Sequence, residues 1–209
     1  MIGITSFGLF LLTAFLMNIT PGTDTMYIVS RSASQGVKAG VYSVLGISTG
    51  SFVHTILAAI GLSVILTTSV VLFTVIKLVG AAYLIYLGVR MVIQKTSNLE
   101  LSRTKNMSLK KIYTQGLITN VTNPKVALFF ISFLPQFISS NNDYGPLPFI
   151  ILGLSFVVTG TIWCLLVAVF SSYATKKLRN NPKLEFILNK VTGIIFIGLG
   201  IKLLETKAT

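Results

Sequence analysis

The sequence predicts an all-α integral membrane protein whose six transmembrane helices form an inverted three-plus-three repeat, with helices one and four broken at prolines. Three observations predict it. Apolar runs recur at membrane length in a 209-residue chain that is 53% hydrophobic and 11% charged, with a mean hydropathy of +0.82. Basic residues collect in alternate connections between those runs. Two polar, proline-centred sequences interrupt apolar stretches at matching places in the two halves.

Crossing ~30 Å of hydrocarbon takes ~20 mainly apolar residues. Such runs fall at about 4–29, 39–66, 70–93, 113–138, 147–172 and 190–204. They are separated by Gln35-Gly36-Val37-Lys38, Thr67-Thr68-Ser69, the polar stretch 94–112, the segment 139–148 and the segment 174–189. The run from 39 to 93 is long enough for two spans, and the weakly marked Thr67-Thr68-Ser69 turn divides it. The whole chain, 1–209, therefore reads as a single transmembrane domain, with half-repeats at about 1–93 and 113–209 around a basic cytoplasmic loop, 94–112. Met1 to Asn18 carries no basic residue, so no cleavable secretion signal is expected.

Lys and Arg number 17 against 5 Asp and Glu, a net charge of +12. In a soluble protein that excess would point to nucleic acid. Here it lies mostly in the first connection (Arg31, Lys38), the third (Lys95, Arg103, Lys105, Lys110, Lys111) and the fifth (Lys176, Lys177, Arg179, Lys183). The second has no charge and the fourth only Asp143. Positive loops stay in the cytoplasm, so the odd connections are cytoplasmic and both termini face outward. No nucleic-acid partner is expected. A homo-oligomer is compatible with the sequence.

The halves share more than their breaks. Lys77-Leu78-Val79-Gly80-Ala81-Ala82-Tyr83 in span three echoes Lys190-Val191-Thr192-Gly193-Ile194-Ile195-Phe196 in span six, each followed by a further glycine, Gly88 or Gly200. Three spans per half is an odd number, so the halves must run in opposite senses across the membrane.

The breaks read Asn18-Ile19-Thr20-Pro21-Gly22-Thr23-Asp24 and Asn120-Val121-Thr122-Asn123-Pro124-Lys125. Proline removes a backbone donor and clashes with the preceding turn. Freed backbone groups are tolerated at membrane depth only against protein or a wet cavity. A matched pair of interrupted spans points to a transporter's substrate site. Packing kinks are the bland alternative, and the clustered polar residues weigh against it.

Candidate substrate contacts are Asn18, Thr20, Pro21, Gly22, Asp24, Asn123, Pro124 and Lys125. Asp24 is the one carboxylate deep in a span. It reads as a proton site or an ammonium ligand, or as the cap of the helix that restarts after the break. Lys125 reads as a ligand for a substrate carboxylate, as Asp24's ion-pair partner, or as a snorkelling lysine. Thr23, Asn120 and Thr122 add donors and acceptors that also suit interhelical hydrogen bonds. His54, the sole histidine, is a second candidate for proton coupling or a neutral packing residue. Gly36-x-x-x-Gly40 and Gly46-x-x-x-Gly50 read as helix-packing faces. Cys164, the single cysteine, excludes an intramolecular disulfide. Neither a metal site, a cofactor site nor a catalytic constellation is expected, and an enzyme is disfavoured.

Asn18-x-x-Pro21-Gly22-x-Asp24, Lys77-x-x-Gly80-Ala81-Ala82-Tyr83-Leu84, Asn123-Pro124-Lys125 with Phe129-Phe130, and Phe133-Leu134-Pro135-Gln136-Phe137 together resemble the LysE superfamily, nearest its homoserine/threonine (RhtB-type) branch. The resemblance covers essentially the whole chain. It implies export of small amino acids from the bacterial cytoplasm across the cell membrane, driven by proton antiport. Two departures matter: the family's usual Pro-Gly-Pro ends here in Thr23, and Ser51 stands where an acid often follows the glycine matching Gly50. An exporter of another small solute or ion on the same architecture is the alternative, ahead of a membrane enzyme or a non-transporting membrane protein.

Overall fold

The computed structural model describes residues 2–63, 70–93, 106–139, 142–173 and, in the last apolar run, 190, 193, 194, 197, 198, 200, 201 and 204. The Thr67-Thr68-Ser69 turn, most of the 94–112 loop and the fifth connection lie outside them. The described chain is helical. α1 spans Phe7–Ile19 and α2 spans Thr23–Leu57, prolonged by a π-helical turn, Ala58–Leu62. α3 is Val70–Ile93 and α4 is Leu109–Val121. α5, Pro124–Leu128, continues through a π turn, Phe129–Phe133, and a 3₁₀ turn, Leu134–Phe137; α6 is Leu147–Tyr173. Among the described residues there is no strand, only one isolated antiparallel bridge between Ile4 and Ile138. The described residues of 190–204 are helical too.

α2 and its π turn form 40 residues of nominally continuous helix, Thr23–Leu62. Straight, it would be ~60 Å long, about twice the hydrocarbon core. Gly36 divides it, with φ 82° and ψ −177°, a conformation that only glycine adopts without strain. Ser32 and Gly40 would lie ~12 Å apart along a straight helix. A Cβ added to Gly40 would instead sit 3.2 Å from the Ser32 Cβ, so the chain doubles back at Gly36. The sequence reading of Gly36-x-x-x-Gly40 as one packing face is thereby corrected. Nothing lies within 4 Å of a Cβ built on Gly36, which serves the turn; Gly40 alone serves the contact.

Hydrogen bonds define the two ends of the bundle. At one end Gln35 Nε2 donates to the Met107 carbonyl (2.9 Å), and Met107 N donates to Gln35 Oε1 (3.1 Å). Ser172 Oγ joins them by donating to the Ser32 carbonyl at 3.2 Å. At the other end Thr5 N donates to Phe137 O (2.8 Å), and Ser139 N donates to Gly3 O (2.9 Å). The interruptions lie between these ends. Leu109–Val121 is 13 residues long, and α2 runs an equal length from Thr23 before Gly36. Each is ~20 Å of helix.

Between the breaks and the Thr5–Phe137 end lies an aromatic core. Phe10, Phe129, Phe130, Phe133, Phe137 and Phe156 are all buried. Phe129 and Phe156 stack at 4.7 Å, and Phe10 meets Phe137 edge-on at 5.3 Å. Tilted and edge-on ring pairs add to the burial of large apolar area. Val158, Ile162 and Leu166, four residues apart along α6, form an exposed apolar stripe suited to acyl chains.

The second leg of α2 packs on α4 by close backbone approach. A Cβ on Gly46 would fall 2.9 Å from Leu117 N, and one on Gly116 would fall 2.8 Å from Ser43 O. Small residues permit such contacts between membrane helices.

Candidate functional site

α1 ends at Ile19, leaving carbonyls without intrahelical partners at the negative end of its dipole. Lys125, one residue into α5, reaches across to them. Its Nζ donates to Met17 O and Thr20 O, both at 2.9 Å. Capping of the α1 end is a contact that the sequence readings of Lys125 did not include.

α2 restarts with Gly22 as its N-cap, which has no side chain to offer. Its first intrahelical donor is Met26 N, to Gly22 O at 2.9 Å, so the amides of Thr23, Asp24 and Thr25 have no acceptor within the helix. Asp24 is thus not the cap. It lies in the first turn, where the positive dipole end favours a carboxylate. Asn120 Nδ2 donates to Asp24 Oδ2 at 2.7 Å. Asp24 Oδ1 is buried and has no hydrogen-bond partner among the described residues.

The second interruption is capped differently. Asn123 is the N-cap of α5, and its Oδ1 accepts from Lys125 N at 3.0 Å. Pro124 occupies the first helical position, where a missing N–H costs no helical bond. Helices α4 and α5 with its turns meet at 46°.

Asn18 Nδ2 donates to Thr159 Oγ1 at 3.3 Å and Phe156 O at 3.5 Å, tying α1 to α6. Thr20 Oγ1 donates back to Leu16 O at 2.7 Å. His54 is buried, 3.2 Å from the Asn120 carbonyl through Nε2, and its ring stacks on Phe130 at 5.7 Å.

A cavity of about 40 Å³ lies where the two interruptions meet. Asn18, Thr20, Gly22, Asp24, Asn123 and Lys125 line it; Pro21, Pro124 and His54 do not. Ser48 and Ser51 enter from the second leg of α2, and Gly160, Thr161 and Cys164 from α6. Ser48 Oγ and Thr161 Oγ1 are hydrogen-bonded at 2.7 Å. A single water needs roughly 10–15 Å³ of such space, so the cavity has room for about three waters. Anything as large as an amino acid requires its walls to part.

The sequence reading did not place Ser48, Thr161 or Cys164 at the site, nor give Asn120 its central position. Ser48 and Ser51, three apart, do share a helical face in an apolar run, and that stripe was the available signal.

Asp24 and Lys125, a carboxylate and an ammonium, thus line one cavity beside two helix breaks, and residues 15–207 of the chain match the LysE type translocators. The chain belongs to that family. This translocator is 39% identical over 199 residues to the uncharacterized membrane protein YrhP of Bacillus subtilis (strain 168), covering 90% of this chain and 93% of the relative. It is 29% identical over 199 residues to an uncharacterized membrane protein of Vibrio cholerae, at 95% and 96% coverage. A leucine efflux protein of Salmonella typhimurium is 26% identical over 202 residues, at 96% and 95% coverage. No solved structure matches the chain. The translocator is a membrane protein with apolar, membrane-length helices.

Proposed function

We propose that this translocator is a secondary exporter of small neutral amino acids, moving them out of the bacterial cytoplasm in exchange for protons. The observation that carries the reading is the meeting of two helix interruptions around Asp24 and Lys125. The open oxygen, Oδ1 of Asp24, suits a substrate ammonium. A lysine ammonium has three donors, and two are committed to Met17 O and Thr20 O, so the third suits the substrate carboxylate. The amides opening α2 add a second carboxylate site. A proton and an ammonium compete for the same carboxylate oxygen, and that exclusion is what antiport requires.

The cycle we propose is alternating access between inverted three-span halves, with spans one and four broken at Pro21 and Pro124, and odd connections in the cytoplasm. The close contacts of the third and sixth spans support this symmetry. A Cβ on Gly193 would fall 2.6 Å from Gly88 O, and one on Gly200 would fall 2.9 Å from Ala81 O. Seven residues forward along one helix is seven back along the other. Gly193 matches Gly80 in the internal repeat, so the crossing is centred as a pseudo-two-fold axis demands.

Homoserine and threonine are the proposed cargo. The family-branch resemblance favours them, and the Ser48–Thr161 hydroxyl pair offers partners to a hydroxylated side chain. The leucine efflux relatives make leucine the comparison substrate. Inside-out vesicles energised to an acidic lumen test the reading with radiolabelled homoserine, threonine and leucine. Accumulation that collapses with a protonophore is expected. No accumulation of any amino acid in a broad panel would overturn it.

A further inference from the structure

We infer that Asn120 is the positioning residue of the Asp24 carboxylate, holding one oxygen so that the other is presented to the cargo; the inference rests on the exporter reading above. Four contacts converge on Asn120, which is 1% exposed. Its Nδ2 donates to Asp24 Oδ2 at 2.7 Å. Its Oδ1 accepts from Ser51 Oγ at 3.2 Å. Its carbonyl lies 3.2 Å from His54 Nε2. Its Cβ and Oδ1 press on Gly50, where an added Cβ would fall 2.8 Å and 2.7 Å from them.

These contacts leave the amide one orientation. A carboxylate only accepts, so the NH₂ end must face Asp24, and the Ser51 hydroxyl donates to the other end. Asp24 Oδ2 is thereby held within the protein, while Oδ1, a buried atom of a residue that lines the cavity, has no hydrogen-bond partner among the described residues. A neutral amide can do this without cancelling the carboxylate's charge, which a lysine at the same place would do. Asn120 also sits at the end of α4, just before the second interruption, while Asp24 follows the first. The single hydrogen bond between them crosses from one interruption to the other, and Ser51 and His54 extend it to the second leg of α2.

Purified parent, Asn120→Ala, Gly50→Ala and Ser51→Ala are compared in proteoliposomes and in detergent. Gly50→Ala keeps every polar group but pushes Asn120 away from its seat. Two readouts are taken: accumulation of L-threonine, with L-leucine in parallel, driven by a pH gradient, and protection of Cys164 from N-ethylmaleimide by the same amino acids. Cys164 lines the cavity and is the sole cysteine, so it reports occupancy in the unmodified chain. Leaving one partner of a buried charge unmade predicts a fall of about tenfold in accumulation for Asn120→Ala and Gly50→Ala. The protecting concentration should rise by about the same factor. Ser51→Ala, which frees the amide without removing it, should fall about two- to threefold. Helical content and melting behaviour separate a misplaced carboxylate from a misfolded chain; if Asn120→Ala fails to fold, Gly50→Ala and Ser51→Ala decide. Folded variants that match the parent in both readouts overturn the inference alone. A parent that neither accumulates nor is protected by any amino acid overturns the exporter reading as well.

Discussion

Lys125 shows how a single side chain can be visible in the sequence while its partners are not. Its neighbours Asn123 and Pro124 mark it as a residue at a helix break, and the structure puts it on the cavity wall. What sequence could not give is its reach: the Nζ bonds fall on Met17 O and Thr20 O, more than a hundred residues away in the chain. The same holds for Asn120, one of several asparagines near the breaks until the fold sets it against Asp24, Ser51 and Gly50. Lys125→Met removes the donors from two carbonyls at the end of α1, at a cost on the order of 1–3 kcal/mol. It should therefore lower the melting temperature in detergent by several degrees and abolish transport. Lys111→Met, at an exposed site early in α4, serves as the control and should shift neither by much.

At the scale of elements, α1 ends at Ile19 and α4 at Val121, shortly before Pro21 and Pro124. Gly36 was legible in two ways, as the connection that turns the chain from span one into span two and as half of a packing motif. Its neighbour at the fourth position, Gly40, imitates a packing motif, and only the φ of 82° separates the two roles. Alanine at Gly36 would force a side chain into that conformation, costing roughly 1–3 kcal/mol. Gly61 lies in the π turn with nothing within 4 Å of an added Cβ, and alanine there should be neutral or slightly stabilising. Thermal or denaturant unfolding of the two variants side by side checks the difference. A Gly36→Ala protein as stable as Gly61→Ala would contradict the turn.

For the whole molecule, the proposed orientation rests on the alternation of basic and uncharged connections, which is a matter of composition rather than of contacts. The pairing of Gln35 with Met107 and of Thr5 with Phe137 joins segments that this topology puts on common sides. Ile2→Cys and Ala208→Cys, made singly in a Cys164→Ala background, should each react with an impermeant thiol reagent on intact cells; position 208 lies outside the described residues. Protection of both until the membrane is opened would reverse the orientation. The size of the cavity and its lining from α6 and the second leg of α2 were not legible, because they depend on how those helices close against the breaks. The central claim is that protons and amino acids exchange at Asp24, and its most direct test is reconstitution of the parent and Asp24→Asn into liposomes carrying a pH gradient. Asparagine keeps the shape and a hydrogen-bonding side chain but cannot carry the proton. The folded variant is expected to exchange labelled threonine for unlabelled threonine while failing to accumulate it against a concentration gradient. Accumulation by the Asn variant equal to the parent's would contradict the claim and move the search for the proton carrier to His54.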